Sequence, residues 1–253
     1  MGIVLKMTYL LCFLSLLGVA SAFSLKALRT NSIALRPART VTWSTKEGSD
    51  TSRTSLVELK QKLLSSVSGA NRGLNSLVQE QKDILQIVEQ LEERNPNTVP
   101  NSGLEDGNSL LAGEWKLLFT SALDVLSLGL IPGVDVGQVY QNISEDGKEI
   151  VNVVDLQPRG SPLFSRYAGE TSARIKVVAA SEVEGDKRVN LVFRRSIYRP
   201  LSLFGRDVSK ALPQLTFNLP QLPTAGWIDT TYLDEDLRVA RAFGGNLFVL
   251  ERV

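Results

Sequence analysis

A run of acidic side chains near one tyrosine offers this sequence its best set of groups for chemistry. Asp229 and Tyr232 are closely followed by Asp234-Glu235-Asp236. Two carboxylates can act as general acid and base when burial drives their pKa values apart. Here, however, the consecutive acids lie between two strand-like segments, and neighbouring side chains of an extended chain point in opposite directions. The segment also lacks the glycine of a calcium loop. We therefore expect a solvated turn, in which Asp234 and Asp236 have no chemical role.

The distribution of histidine and sulfur excludes most other catalytic sites. Histidine is absent from the whole sequence, and the single cysteine, Cys12, lies near the beginning, as do both methionines, Met1 and Met7. The rest of the chain therefore lacks the donors for a Ser-His-Asp triad, a thiolate nucleophile or a His-ligated zinc. We predict no catalytic residue, no cofactor and no metal site.

Charge and glycine spacing argue against two further ligand classes. A formal net charge of +1 gives no nucleic-acid-binding footprint. Gly129, Gly133 and Gly137 surround Pro132, but the Lys-Ser/Thr ending and the strand-loop-helix context of a phosphate-binding loop are missing. We therefore expect neither nucleic acid nor nucleotide as a partner.

Two targeting segments are predicted before the folded part. Residues 1–22 place Lys6 before an apolar run that ends in Ala20-Ser21-Ala22, which is typical of a signal peptide. Residues 23–52 begin with Phe23 and contain basic, Ser and Thr residues with no acid before Glu47, which is typical of a transit peptide. The pair resembles the bipartite presequence of algae with secondary plastids and predicts a plastid location. A secreted protein with a basic, disordered arm is the alternative.

Two amphipathic helices are predicted in a helical extension, residues 53–96. Ser55 and Glu58 have capping-box spacing, and leucines recur at helical intervals until Gly69. Ser76 with Gln79 repeats the capping signal before a second apolar stripe, which Asn95-Pro96 ends. We expect both stripes to pack on the protein's own core, because acidic residues of the second helix would be repelled by anionic lipid.

Residues 97–253 read as a mainly β module. Segments rich in β-branched and aromatic residues predict strands at 114–120, 136–143, 149–156, 171–180, 188–198, 227–232, 237–241 and 246–252. Tight turns such as Asp146-Gly147 join them without helical crossovers, which favours an antiparallel sheet. Closing that sheet would remove its edges, so we predict a lipocalin-like barrel. The proline-containing stretch 199–225 is predicted to be an irregular excursion over one mouth.

Several stretches together resemble the plastid lipid-associated protein family, also called fibrillins. They are Gly113 to Thr120 (GEWKLLFT), Leu130 to Asn142 (LIPGVDVGQVYQN) and Gly226 to Val253, with the likeness beginning at Asn71-Arg72-Gly73-Leu74 and Asn95-Pro96. The resemblance covers roughly residue 55 to the end. It implies the same lipocalin-like fold and an Asp-rich run that includes Asp234 and Asp236.

The lipocalin likeness also suggests structural and ligand-contact residues. Gly113 and Trp115 match the Gly-x-Trp of a first lipocalin strand, where an arginine lies across the tryptophan. Of the candidates Arg238, Arg241 and Arg252 we favour Arg238 for this cation–π contact. We predict the ligand-binding residues from the aromatics on strands, although periodicity does not reveal which face points inward. They are Phe119, Tyr140, Phe193, Tyr232 and Phe248.

Three functions remain open at this point. The preferred one is non-catalytic binding or carriage of lipids, carotenoids or quinones, with peripheral contact to a plastid membrane, thylakoid or plastoglobule. The second is a lipocalin-like enzyme that acts on a lipid or carotenoid through Tyr232, Asp234 and Asp236. The third is a structural coat or interaction protein, in which the two helices bind a partner and the barrel is solidly packed.

Overall fold

The computed structural model describes residues 55–126, 134–158, 172–203, 205–220 and 226–253. The predicted signal and transit segments lie outside these residues, as do Gly129, Gly133 and the end of the predicted excursion. Residues 55–253 form one compact unit.

Two helices precede the sheet. Helix α1 (Leu56–Ser68) has the predicted capping box: the Ser55 hydroxyl accepts a hydrogen bond from the Glu58 N–H at 3.2 Å, and the Glu58 carboxylate accepts one from the Ser55 N–H at 2.7 Å. Helix α2 (Val78–Glu92) begins one residue later than its predicted Ser76 cap. Its N-cap is Leu77, whose N–H donates to the Glu80 carboxylate at 2.8 Å. A short helix, α3 (Leu123–Leu126), follows the first strand.

Ten strands are present in the described residues, and eight of them match the predicted ones closely. They are β1 (Gly113–Thr120), β2 (Val134–Ile143), β3 (Glu149–Pro158), β4 (Ser172–Glu184), β5 (Arg188–Leu203), β6 (Arg206–Asp207), β7 (Leu215–Asn218), β8 (Gly226–Leu233), β9 (Leu237–Ala242) and β10 (Asn246–Arg252).

The eight long strands form a closed antiparallel barrel, which confirms the predicted fold class. Their order is β4-β3-β2-β1-β10-β9-β8-β5, and β5 pairs back with β4 to complete the ring. All the pairings between neighbours are antiparallel. Closure gives each of the eight long strands a neighbour on both sides, as expected for a barrel of this type.

Strand β5 pairs with three different strands along one of its edges. Strand β4 follows the other edge from Arg188 to Ser202. On the shared edge, β8 pairs only with Arg188–Leu191, while β7 pairs with Arg195–Tyr198 and β6 pairs with the end of β5. The predicted excursion was therefore wrong for residues 199–203, 206–207 and 215–218, which are strand residues in this sheet.

The helices cover one side of the barrel wall. Their buried stripes pack against outward side chains of β1, β8, β9 and β10, including Phe119, Val239 and Val249. Lys60 of α1 donates to Asp234 at 2.8 Å, and Arg241 of β9 donates to Glu92 of α2. The apolar stripes are thus used within the protein's own core, as the sequence predicted.

Residues 99–111 close one end of the barrel. The Asn101 side chain donates to the carbonyls of Gly185 and Arg188 at 2.9 Å each, beside the β4–β5 turn. Leu104 and Leu111 are fully buried and belong to the same apolar cluster as the barrel interior. We call this the closed end; the opposite end, where β2 and β8 begin and where several described inward side chains are only partly buried, is called the open end.

Candidate ligand-binding site

The barrel interior is mainly apolar, and its side chains differ in exposure. Inward side chains toward the closed end are buried, among them Trp115, Ile143 and Leu250. The inward side chains that pack with them toward the open end are only partly buried. This second set is Val136, Val154, Phe193, Ile228 and Phe248. Hydrophobic surface that solvent can reach inside a barrel is the kind of surface that binds apolar ligands.

A hydrogen-bonded set of polar side chains, centred on Arg238, lies inside the barrel on the closed-end side of the partly exposed residues. Arg238 on β9 is 1% exposed, and its guanidinium donates to Gln141 Oε1 at 2.6 Å and to Thr230 Oγ1 at 3.3 Å. Gln141 in turn donates to Asn152 Oδ1 at 2.9 Å. Burial lowers the pKa of Arg238 to about 9, because removal from water disfavours the charged form. Sequence reasoning missed Gln141, Asn152 and Thr230. The signal that could have revealed them is a polar residue at a strand position that points into the barrel.

Only two of the five predicted aromatic residues lie inside. Phe193 and Phe248 are in the interior cluster, where they remain predicted ligand contacts. Phe119 and Tyr232 belong to the core beneath the helices, and Tyr140 lies on the outer face. As barrel-lining contacts, Phe119, Tyr140 and Tyr232 were therefore wrong predictions.

Two β-bulges explain the placement of Phe119 and Tyr232. The register of β1 against β10 shifts between Leu117 and Phe119, and the register of β8 against β9 shifts between Thr230 and Tyr232. One extra residue moves every later side chain to the opposite face of a strand. Alternation read from the sequence alone would therefore assign both aromatics to the wrong face.

Tyr140 instead lines a shallow depression on the outer wall, of about 220 Å³. Its other lining residues are Glu114, Asn142, Val151, Val153, Arg174 and Lys176. Arg174 is held by Asp155 through hydrogen bonds of 2.6 and 3.0 Å. This depression is polar and exposed, so the open end is the better candidate for a hydrophobic ligand.

The acidic segment forms a turn that holds helix α1. Asp234 accepts hydrogen bonds from the Tyr232 hydroxyl at 2.6 Å, from Lys60 at 2.8 Å, and from the N–H groups of Asp236 and Leu237. Burial alone would raise the pKa of Asp234, but these donors outweigh burial and lower it. Burial and the neighbouring Asp234 raise the pKa of Tyr232.

The acids therefore do not converge on one reaction site. The Asp236 side chain is 84% exposed, and Asp229 is held by Arg188 through hydrogen bonds of 2.7 and 2.8 Å. Within the described residues, no group of three or more acidic side chains is placed to hold a metal ion. Asp234 thus connects the turn to helix α1 through Lys60, and its lack of a chemical role stays a prediction.

Trp115 is fully buried at the closed end, and its arginine partner is not the predicted one. Its Nε1 donates to the Leu111 carbonyl at 3.0 Å, and Arg252 lies over the ring with Cζ 4.2 Å from the centroid. The choice of Arg238 was wrong, because the guanidinium of Arg238 points to Gln141 and Thr230 instead. Gly113 has a φ of 119°, a conformation that favours glycine, at the sharp entry to β1.

Comparison with known proteins agrees with this architecture. The family model described as PAP_fibrillin matches residues 57–251, which covers all but the first residue of α1 and the last residue of β10. The chain belongs to this family. No solved structure matches this fibrillin chain significantly.

Curated relatives of this fibrillin are plastid proteins. It is 29% identical to the probable plastid-lipid-associated protein 2, chloroplastic, of Arabidopsis thaliana, over 76% of this chain and 69% of the relative. It is 30% identical to the plastid lipid-associated protein 1, chloroplastic, of Brassica campestris, over 77% and 66%. It is 28% identical to the chromoplast-specific carotenoid-associated protein C2 of an Oncidium hybrid cultivar, over 76% and 68%. The chain thus spans about two thirds of the length of these relatives, and their chloroplastic or chromoplastic names support the predicted plastid location.

Proposed function

We propose that this fibrillin binds and organises hydrophobic molecules such as lipids, carotenoids or quinones at plastid membranes or plastoglobules, without catalysing a reaction. One observation carries the proposal: a closed barrel presents a partly exposed apolar interior at its open end. The names of the relatives, which are lipid-associated and carotenoid-associated, support the same class of ligand. Apolar burial contributes about 25 cal/mol per Å², so such a ligand needs few polar contacts.

The targeting and domain assignments stay part of this proposal. We propose that residues 1–22 are a signal peptide and residues 23–52 a transit segment, that residues 53–96 form the helical extension, and that residues 97–253 form the barrel. Within the described residues, no helix has the length and apolarity needed to span a bilayer. Contact with a membrane or plastoglobule is proposed to be peripheral.

The two alternative functions receive less support from the geometry. An enzyme would need Tyr232, Asp234 or Asp236 free to exchange protons, but Asp234 is held by donors on several sides, including Lys60 and Tyr232. A structural coat would need the apolar stripes of the helices to bind a partner, and these stripes are buried on the barrel. The non-catalytic proposal for this chain also agrees with the names of its relatives, which are lipid- or carotenoid-associated.

The test is lipid binding by the full-length chain. The purified protein would be incubated with plastid lipid extract, separated from free lipid, and examined by native mass spectrometry and by extraction. We expect bound lipid or pigment, and Phe248→Ala should weaken that binding several-fold because it removes apolar surface from the open end. Tyr140→Ala, on the outer depression, is the matched control and should bind normally. Failure of the wild-type chain to retain any lipid, quinone or carotenoid would overturn the proposal.

A further inference from the structure

Arg238 is a buried cation without a counter-charge in the described part of the chain. It forms no ion pair among those residues, and its two hydrogen-bond acceptors, Gln141 and Thr230, are both neutral. A guanidinium carries five N–H donors, and the two hydrogen bonds of Arg238 use two of them. Buried charges in proteins are ordinarily paired, so this one is available to an anion that is not part of the described chain.

The position of Arg238 suggests how such an anion would be held. Its strand partners, Leu233 and Leu250, are in the interior cluster. The next inward residue on β9, toward the open end, is Ala240, which pairs with Phe248. Its side chain is only a methyl group. Beyond it lie the partly exposed apolar side chains described above. A buried polar group beneath partly exposed apolar side chains fits a molecule with one charged end and a long hydrocarbon chain.

The chemistry of the Arg238 side chain favours a carboxylate as the bound anion. A guanidinium presents planar, parallel donors that match the two oxygens of a carboxylate, and the neighbouring amides and hydroxyl can hold its remaining lone pairs. A neutral carotenoid or quinone would leave the arginine charge without a partner. We propose that Arg238 binds the carboxylate of a long-chain acid whose hydrocarbon chain lies in the open end of the barrel. This inference rests on the proposed function, because it names the ligand class of the same interior.

A purely structural role fits Arg238 less well than it fits Arg252. Arg252 lies over Trp115 and donates to the main-chain carbonyls of Leu110, Ala112 and Glu235. These contacts join three segments at the closed end. Arg238 makes no hydrogen bond to a main-chain carbonyl among the described residues; its partners there are two side chains. Arg238 keeps N–H donors that are not used by the described residues, and partly exposed apolar side chains lie nearby. Binding of a ligand explains this arrangement better than a structural role does.

The experiment compares two probes of equal chain length, oleic acid and oleyl alcohol, on the full-length protein. Each would displace an uncharged fluorescent lipid probe, below the concentration at which it forms micelles. We expect wild type to bind the acid about tenfold or more tightly than the alcohol, as is typical when a hydrogen-bonded charge pair forms. Arg238→Gln should bring the ratio of the two dissociation constants close to one. Arg238→Lys should give an intermediate ratio, because it keeps the charge but loses the planar donors.

Lys176→Gln is the matched control. It removes the same charge from the outer depression and should leave the acid-to-alcohol ratio unchanged. Circular dichroism melting would establish that each variant is folded, and the wild-type ratio alone tests the inference should Arg238→Gln not fold. Equal binding of acid and alcohol by wild type, or a preference that survives in Arg238→Gln, would overturn the inference and leave the proposed function standing. Binding of neither probe would overturn the inference, and the proposed function would fail only if plastid lipids also remain unbound.

Discussion

The Glu92 carboxylate at the end of α2 accepts two hydrogen bonds of 2.8 Å from the Arg241 guanidinium on β9. It accepts a third, of 2.6 Å, from the Thr231 hydroxyl, which belongs to the bulged part of β8. One carboxylate therefore joins the helical layer to two neighbouring strands of the barrel. Both partners of the ion pair are largely shielded, with side-chain exposures of 18% for Glu92 and 30% for Arg241.

Glu92→Ala should therefore lower the free energy of unfolding by about 1–2 kcal/mol, as is usual when hydrogen bonds to a charged group are lost. Urea denaturation would measure this loss. Glu89→Ala is the control, since it removes the same charge about one turn earlier from an exposed position, and it should change stability by less than about 0.5 kcal/mol. Equal effects of the two substitutions would contradict this account of the helix contact.

Arg252 is expected to be a stabilising residue of the closed end. Arg252→Ala removes the contact with the Trp115 ring, for which about 0.5–2 kcal/mol is typical, and also removes its hydrogen bonds to main-chain carbonyls. We expect the thermal midpoint to fall by several degrees. Arg252→Lys should recover only part of the loss because an ammonium cannot stack in the same way. A midpoint unchanged by Arg252→Ala would show that the contact contributes nothing.

Gly73 should tolerate no side chain. Its φ is 104°, and a Cβ at this position would lie 2.4 Å from the Thr120 carbonyl oxygen. Gly73→Ala should therefore destabilise the protein by about 1–3 kcal/mol, the usual cost of such backbone strain. Gly69→Ala provides the contrast, because a Cβ there meets nothing within 4 Å. We expect chemical denaturation to separate the two variants clearly, and the prediction fails if they unfold together.

The pKa of Asp234 predicts the pH dependence of its contribution. Because the folded-state pKa lies below the ordinary value of 3.8, Asp234 stabilises the fold when it is ionised, above about pH 4, and this contribution is lost as pH falls through the folded-state pKa. Asp234→Asn should thus be clearly less stable than wild type at pH 7, and the difference should shrink below pH 4. Denaturation curves between pH 3 and pH 7 would measure it.

Asp236→Asn is the control for that series. Its carboxylate is exposed and lies 3.4 Å from Lys60, so this variant should stay close to wild type across the same range. A stability difference for Asp234→Asn that is constant from pH 7 to pH 3 would contradict the assigned pKa direction.

The sequence was sufficient to predict the long strands but not the short ones. β-branched residues and turn glycines mark the eight barrel strands, so their ends were predicted to within a few residues. Strands β6 and β7 escaped prediction because β6 is too short for a pattern and β7 (LTFN) lies among prolines. Both exist because the far half of β5 offers them an unpaired edge, which is a property of the assembled sheet.

The candidate site was harder to predict for a related reason. Phe193 and Phe248 could be named as interior aromatics, but the bulges beside Leu118 and Thr231 turn Phe119 and Tyr232 outward. Three arginines near the end of the chain could not be distinguished by spacing. Arg238 and Arg252 have different partners because they occupy different levels of the barrel, and that difference depends on tertiary structure.

The short junction between β5 and β8 combines main-chain pairing with one ion pair. Its few main-chain pairs are reinforced by Arg188, which is bound to Asp229 and lies 4.2 Å from the centre of the Trp227 ring. Partly exposed charges are screened by dissolved ions, whereas backbone pairing is much less affected. Raising the ionic strength would thus weaken the Arg188–Asp229 contribution to this junction, where only four residue pairs join the two strands.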